Sequence, residues 1–305
     1  MPLLTLANDR LRIEITPEHG ASLVDGLVRL AGGWFPLLRP TPPEAVADGN
    51  VSRLASFTLA PFSNRIPAGR FTFAGRDFQL RPNTPEGHTQ HGDVRRRPWQ
   101  LRASDGESAT LALDTRDFAD FNYPFPFTAE IRYALQAGEF HTDFRLTNVG
   151  EEAMPAGFGF HPYFQRTLAD PAESVTLAAR CGGVYAGLIP TAPAGAVPPE
   201  LDFAHERPLA DKALNHCFAD WDGRATLRWP GSGVTATLTA AAPLRHLVLF
   251  APAGEAFFAV EPVTNASNGF NLHAAGLAGS GTLVLAPGGS AAARWTLAVT
   301  VTGRA

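Results

Sequence analysis

Two side chains stand out for the proton chemistry their settings allow. His161 lies in Gly157-Phe158-Gly159-Phe160-His161-Pro162-Tyr163-Phe164, and Glu261 in Phe257-Phe258-Ala259-Val260-Glu261-Pro262. Side chains alternate between the faces of a strand, so the first run divides in two. Phe158, Phe160 and Phe164 make an apolar face for the core; Gly157, Gly159, His161 and Tyr163 set an imidazole beside two positions without side chains. Glycine inside a strand marks close approach of a ligand or of another backbone. That face reads either as the floor of a binding site or as the seat of a buried histidine bonded to a carbonyl. In the second run Phe257, Ala259 and Glu261 share a face. A carboxylate ending an apolar strand is partly desolvated, which raises its pKa towards the range of a useful base; the alternative is a strand-end glutamate in solvent.

Four further groups could touch a ligand. Arg65, in Phe62-Ser63-Asn64-Arg65-Ile66, offers a rigid fork of donors suited to vicinal hydroxyls or a carboxylate, or to a structural salt bridge. His88 and His91 stand three apart in His88-Thr89-Gln90-His91-Gly92, but no helix and no Cys or carboxylate accompanies them at a metal-binding spacing. No metal is expected, and His91 reads as one polar contact in a loop whose backbone comes close to a ligand. Arg95-Arg96-Arg97 could bind phosphate or form a solvated edge. Asn265, Asn268 and Asn271 supply amides suited to hydroxyls or to turns.

The elements that must position these residues are strands. Short apolar runs recur between Gly, Pro, Asp and Asn, and no window gives a long amphipathic helix period. Arg70–Phe73 and Phe78–Leu80 flank Ala74-Gly75-Arg76-Asp77 as one hairpin signal, and Phe127–Leu135 and Phe140–Asn148 flank Gln136–Glu139 as another. The Pro-, Ala- and Gly-rich stretch Leu188–Pro208 is followed by more strands of the same kind, so it reads as a surface excursion and not a linker. The expectation is all-β: one large sandwich domain over residues 1–305.

Composition narrows the partners. Of the 305 residues, 45% are hydrophobic and 18% charged, with 25 basic against 29 acidic side chains and a formal net charge of −4. That balance gives no reason to expect nucleic acid or an anionic membrane. A neutral small molecule fits better. Two cysteines cannot form a disulfide framework, the N-terminal residues lack the regions of a signal peptide, and no apolar run approaches a membrane span. A reducing cytoplasm is expected, with the protein a monomer or homodimer.

Taken in order, Asn64-Arg65-Ile66 with Gly69-Arg70-Phe71, then His91-Gly92, then His161-Pro162-Tyr163-Phe164, then Glu261-Pro262 with Asn271 resemble the aldose 1-epimerase (galactose mutarotase) family. The resemblance implies a β-supersandwich that interconverts the α and β anomers of a free aldose without metal or organic cofactor. It makes Glu261 the base at the C1 hydroxyl and His161 the acid at the ring oxygen. Arg65, His91, Asn64, Asn215 and Asn271 would bind the monosaccharide. The family usually has an aspartate where this chain has Asn215, which bears on substrate preference. Relatives also often carry a Pro-Asp pair within the stretch that here reads Thr264–Gly269. Two other readings share the fold: a hexose-6-phosphate 1-epimerase gripping phosphate with Arg53 or Arg95–Arg97, and a carbohydrate-binding protein without turnover. A glycoside hydrolase fits less well, because most need two paired carboxylates.

Overall fold

The alternation of apolar and polar residues builds two facing sheets with aromatic rings between them. A computed structural model describes residues 2–209 and 213–302. Among the described residues the largest sheet has nine antiparallel strands. Its centre is the Phe127–Gln136 and Glu139–Asn148 hairpin, continued through Ser290–Val301, Val234–Ala240 and Arg224–Trp229. A second sheet runs Gly183–Val184, Leu214–Ala219, His246–Ala251, Phe257–Val263, Gly159–Phe160, Thr58–Leu59, with Tyr163–Gln165 also paired to Phe257–Val263. A four-stranded meander of Leu4–Ala7, Leu11–Thr16, Ser22–Leu30 and Gly33–Pro36 stands beside them. The all-β expectation holds.

The face carrying Phe158, Phe160 and Phe164 is core, as its alternation implies. Phe158 packs on Phe144 at 4.9 Å between ring centroids, Phe160 on Trp295 at 5.8 Å, and Phe164 on Phe258 at 5.9 Å and Trp229 at 6.5 Å. These rings join the two sheets, each contributing roughly 2–3 kcal/mol on burial. Both predicted hairpins form, Arg70–Phe73 pairing with Arg76–Gln79 around a tighter turn than the four residues expected. The Leu188–Pro208 stretch bridges back through Val184 and Gly195 and stays in the same body.

Sequence reading missed the strands Gln100–Ser104, Ser108–Asp114 and Leu214–Ala219 and the short helices Pro43–Ala47 and Gly269–Ala274. No described helix is long and apolar enough to cross a membrane. The described residues contain no group of three or more His, Cys, Asp or Glu placed to hold a metal ion.

Candidate active site

Pro162 is where the site begins. It has no N–H to give a ladder, and the chain here makes two short strands, Gly159–Phe160 and Tyr163–Gln165, with His161 between them. Both strands pair with Phe257–Val263, Gly159 opposite Val263 and Tyr163 opposite Ala259. The register between those two points sets His161 opposite Glu261. Directly opposed residues of antiparallel strands share a face. The same rows run on across the sheet: Glu261 opposes Val248, and Val248 opposes Cys217; one pleat over, Tyr163, Ala259, Phe250 and Asn215 form the next row. The sheet thus offers His161, Glu261, Val248, Tyr163, Phe250 and Asn215 as one wall of a cavity of about 190 Å³.

Ser52, Phe57, Asn64, Arg65, Gln90 and His91 complete the lining. Arg65 pairs with Gln90 in a two-residue ladder, and the His91 N–H donates to the Asn64 carbonyl at 2.8 Å. Asn64 and His91 both have positive φ, 57° and 66°, the left-handed region that non-glycine residues seldom occupy and that gathers at functional sites. The Asn64 backbone N–H in turn donates to His91 Nδ1 at 3.2 Å. Accepting there leaves the proton on Nε2, so His91 offers a donor to the cavity. Arg65 Nη1 donates to Asn64 Oδ1 at 3.0 Å and, among the described residues, has no carboxylate within salt-bridge distance. Its fork of donors remains for a guest.

His161 Nε2 and Glu261 Oε1 lie 3.2 Å apart, with side chains only 6% and 2% exposed. Burial pushes the Glu261 carboxyl well above the usual carboxylate range, a shift only partly opposed by the Arg65 charge. Burial, with the charges of Arg39 and Arg95, pushes the His161 imidazole well below its ordinary value. Each shift disfavours the ionised form of its group, which favours a carboxylic acid beside a neutral imidazole over an ion pair. His161 is no carbonyl-bonded structural histidine: its buried Nδ1 has no partner. That bland role belongs to His246, whose ring nitrogens lie 2.7 and 2.9 Å from the carbonyls of Thr264 and Gly279.

Several expectations are corrected. Gly157 and Gly159 do not floor a ligand site: a Cβ at Gly157 would stand 2.0 Å from Asn265 Oδ1, and one at Gly159 would stand 2.5 Å from Val263 Cγ1. They admit the neighbouring strand and the segment after it. Gly92 likewise approaches the Ala60 carbonyl and not a ligand, with φ at +64° and room for no side chain. Glu261 sits inside its strand, which continues to Val263. Arg95 is buried and no solvated edge. Arg97 is paired with Asp93 and Asp120, and Arg53 with Glu44.

Asn271 lies outside the cavity. It stands on the short helix Gly269–Ala274 and lines a broader cleft with Arg70, Phe71 and Gln79. Its Nδ2 donates to the Arg70 carbonyl at 3.0 Å and to Asn268 Oδ1 at 2.7 Å, while its Oδ1 accepts from the Thr72 N–H at 3.3 Å. Asn265 and Asn268 are also spent internally, on Ser63 and on the Pro190 carbonyl. Replacing Asn271 by Ala should therefore cost about 1–2 kcal/mol in chemical denaturation and leave ligand affinity unchanged. A loss of affinity at unchanged stability would restore it to the binding set. Gln90, Ser52, Phe57, Val248 and Phe250 were missed; Gln90 alone carried a signal, lying between two histidines already singled out.

Fold and cavity together define the class: an all-β sandwich holding a small polar cavity over a buried carboxyl–imidazole pair. The sequence model of the aldose 1-epimerase family matches residues 2–297, and the chain belongs to that family. It is 28% identical over 314 residues to the uncharacterised protein YphB of Escherichia coli K12, covering 98% of this chain and 99% of that protein. A crystal structure of a candidate aldose 1-epimerase of E. coli K12 superposes with a TM-score of 0.84 at 25% identity over 99% of both chains. A galactose mutarotase-like protein of Clostridium acetobutylicum shares the fold, with a TM-score of 0.85 at 17% identity over 98% of this chain and 95% of that one.

Proposed function

We propose that the protein interconverts the α and β anomers of a free aldose by acid and base catalysis. The observation that carries this reading is the Glu261–His161 contact of 3.2 Å at the wall of a cavity of about 190 Å³, below the usual range for drug-sized ligands and suited to one monosaccharide ring. Moving the carboxyl proton onto His161 gives a carboxylate and an imidazolium at no change in net charge. The desolvation that disfavours both ions makes the first a strong base and the second a strong acid.

Glu261 then takes the proton of the C1 hydroxyl as the bond from C1 to the ring oxygen breaks, and His161 gives its proton to that oxygen. The product is the open-chain aldehyde. Rotation about C1–C2 presents the other carbonyl face, and closure returns both protons. Arg65, the Nε2–H of His91 and the amides of Asn64, Gln90 and Asn215 are placed to hold hydroxyls. The phosphate reading has less support, because none of Arg53, Arg95, Arg96 and Arg97 lines the cavity.

NMR exchange spectroscopy across free and phosphorylated aldoses tests the proposal. Accelerated anomer exchange of at least one free aldose is the expected result. Saturable binding with no acceleration would replace it with the carbohydrate-binding reading, and acceleration confined to 6-phosphates would replace it with the phosphosugar reading. Asn215→Asp exchanges an amide that donates and accepts for an acceptor-only group, and should change relative rates among epimeric sugars several-fold. An unchanged profile would remove Asn215 from substrate selection.

A further inference from the structure

Arg65 and Gln90 are direct partners in the short ladder of Arg65–Ile66 with Thr89–Gln90. The bond one residue on, from the His91 N–H to the Asn64 carbonyl, marks them as a non-hydrogen-bonded pair, the kind whose side chains stand closest on their shared face. Both side chains line the cavity. The main chain of the pair is held from outside. The Arg65 carbonyl accepts from the Asn268 N–H at 2.7 Å. At Gln90 the Asn83 side chain spans both main-chain groups, its Oδ1 accepting from the Gln90 N–H at 2.8 Å and its Nδ2 donating to the Gln90 carbonyl at 3.0 Å. One amide thus stands where a third strand would. Asn83 lies outside the cavity lining, in a turn closed by the bond from its N–H to the His88 carbonyl at 2.8 Å. His88 fastens that turn in place, its Nδ1 accepting from the Ala68 N–H at 3.1 Å. Among the described residues the side-chain amide of half-buried Gln90 makes no hydrogen bond.

We propose that Gln90 selects the sugar, its amide acting beside the Arg65 guanidinium on two adjacent hydroxyls of a free aldose, and that Asn83 is the positioning residue that holds Gln90 to this task. The selection rests on the function proposed above. A guanidinium only donates, so a hydroxyl that accepts from Arg65 must still place its own proton. Gln90 Oε1 is an acceptor next to it, and Gln90 Nε2 is a donor for the neighbouring hydroxyl. Of the amides beside Arg65, Asn64 already gives its Oδ1 to Arg65 Nη1. Gln90 keeps both its acceptor and its donors. Fixing its main chain at both polar groups reduces the freedom left to lose when a ligand binds. A site built to bond a hydroxyl rejects the analogue lacking it, because its own polar groups are then left unpaired. The same fixed amide therefore discriminates among sugars as well as binding them.

Titration calorimetry of the whole protein with glucose, galactose and their monodeoxy analogues tests both roles, with KM and kcat from NMR exchange read alongside. Gln90→Leu should weaken binding of the preferred sugar about tenfold. For the analogue lacking the hydroxyl that Gln90 meets, the loss should shrink to about twofold or less, because that bond is already gone. Asn83→Ala should weaken binding roughly threefold, with the loss falling on KM more than on kcat, and should add nothing further in the Gln90→Leu background. Should Asn83→Ala fold poorly, Asn83→Asp keeps the acceptor for the Gln90 N–H, removes the donor to its carbonyl, and takes its place. Wild-type affinity in Gln90→Leu, or a loss equal for every analogue, would overturn the selecting role. A loss in Asn83→Ala that persists in full in the double variant would overturn the positioning role. Binding is read without turnover, so a protein that binds sugar through Gln90 but accelerates no exchange would end the mutarotation reading and leave this one standing. Accelerated exchange and binding that are both indifferent to Gln90→Leu would do the reverse.

Discussion

On the proposed function, replacing Glu261 by Gln should lower the rate of anomer exchange by roughly 10²–10⁴-fold and leave sugar affinity within a few-fold of wild type. The amide has nearly the same shape and keeps a carbonyl and an N–H for hydrogen bonds, so the cavity keeps its walls. What it loses is a group that can take a proton from the C1 hydroxyl. His161 alone cannot replace it, because ring opening needs one proton removed at C1 and another delivered at the ring oxygen, and an unpartnered imidazole supplies only one of these at a time. NMR exchange measures the rate, and titration calorimetry with the same sugar measures binding. Retention of the wild-type rate would mean that the carboxyl is not the base, and loss of binding together with rate would make it a binding group instead.

How much of this was legible in the sequence depended on whether a residue's role is set along the strand or across it. Phe158, Phe160 and Phe164 were legible because a period of two sorts the faces of a strand without knowledge of its neighbours. His161 and Glu261 were each legible as candidates for the same reason. Their contact was not. Each was read within its own run, whereas the register of two short strands split by Pro162 makes them direct cross-strand neighbours, and register is a property of pairing that neither strand carries alone. The glycines misled in the same way, since Gly157 and Gly159 clear space for a neighbour that only the assembled sheet supplies. Asn271 could not be told from a sugar-binding amide because the helix that employs it, Gly269–Ala274, is too short to show a 3.6-residue period. Ser108–Asp114 was missed because Ala109 and Ala112 give little apolar contrast along it, although its burial alternates once it pairs. The resemblance in motifs reached the family.

The carboxyl proton should also be visible in folding. In the unfolded chain Glu261 titrates near its ordinary 4.5 and His161 near 6.5; in the folded protein the first is raised well above its value and the second lowered well below. The stability held in the carboxyl is therefore fully present below about pH 4.5 and is lost as pH rises through its raised value, and that held in the imidazole is fully present above about pH 6.5 and is lost as pH falls through its lowered value. Where only the carboxyl titrates, stability falls as pH rises, by up to about 1.4 kcal/mol per pH unit. Glu261→Gln removes that term and leaves His161 alone, whose contribution rises with pH up to about 6.5 and then levels. The stabilities of wild type and variant should diverge in the variant's favour as pH rises from about 4.5 towards the raised Glu261 value. Urea denaturation of both proteins from pH 5 to 8.5 reads the difference directly, with the remaining titrating groups common to both. Parallel curves across that range would show that the carboxyl is already ionised in the folded protein, and that the pair meets its substrate as an ion pair instead of making one by internal proton transfer.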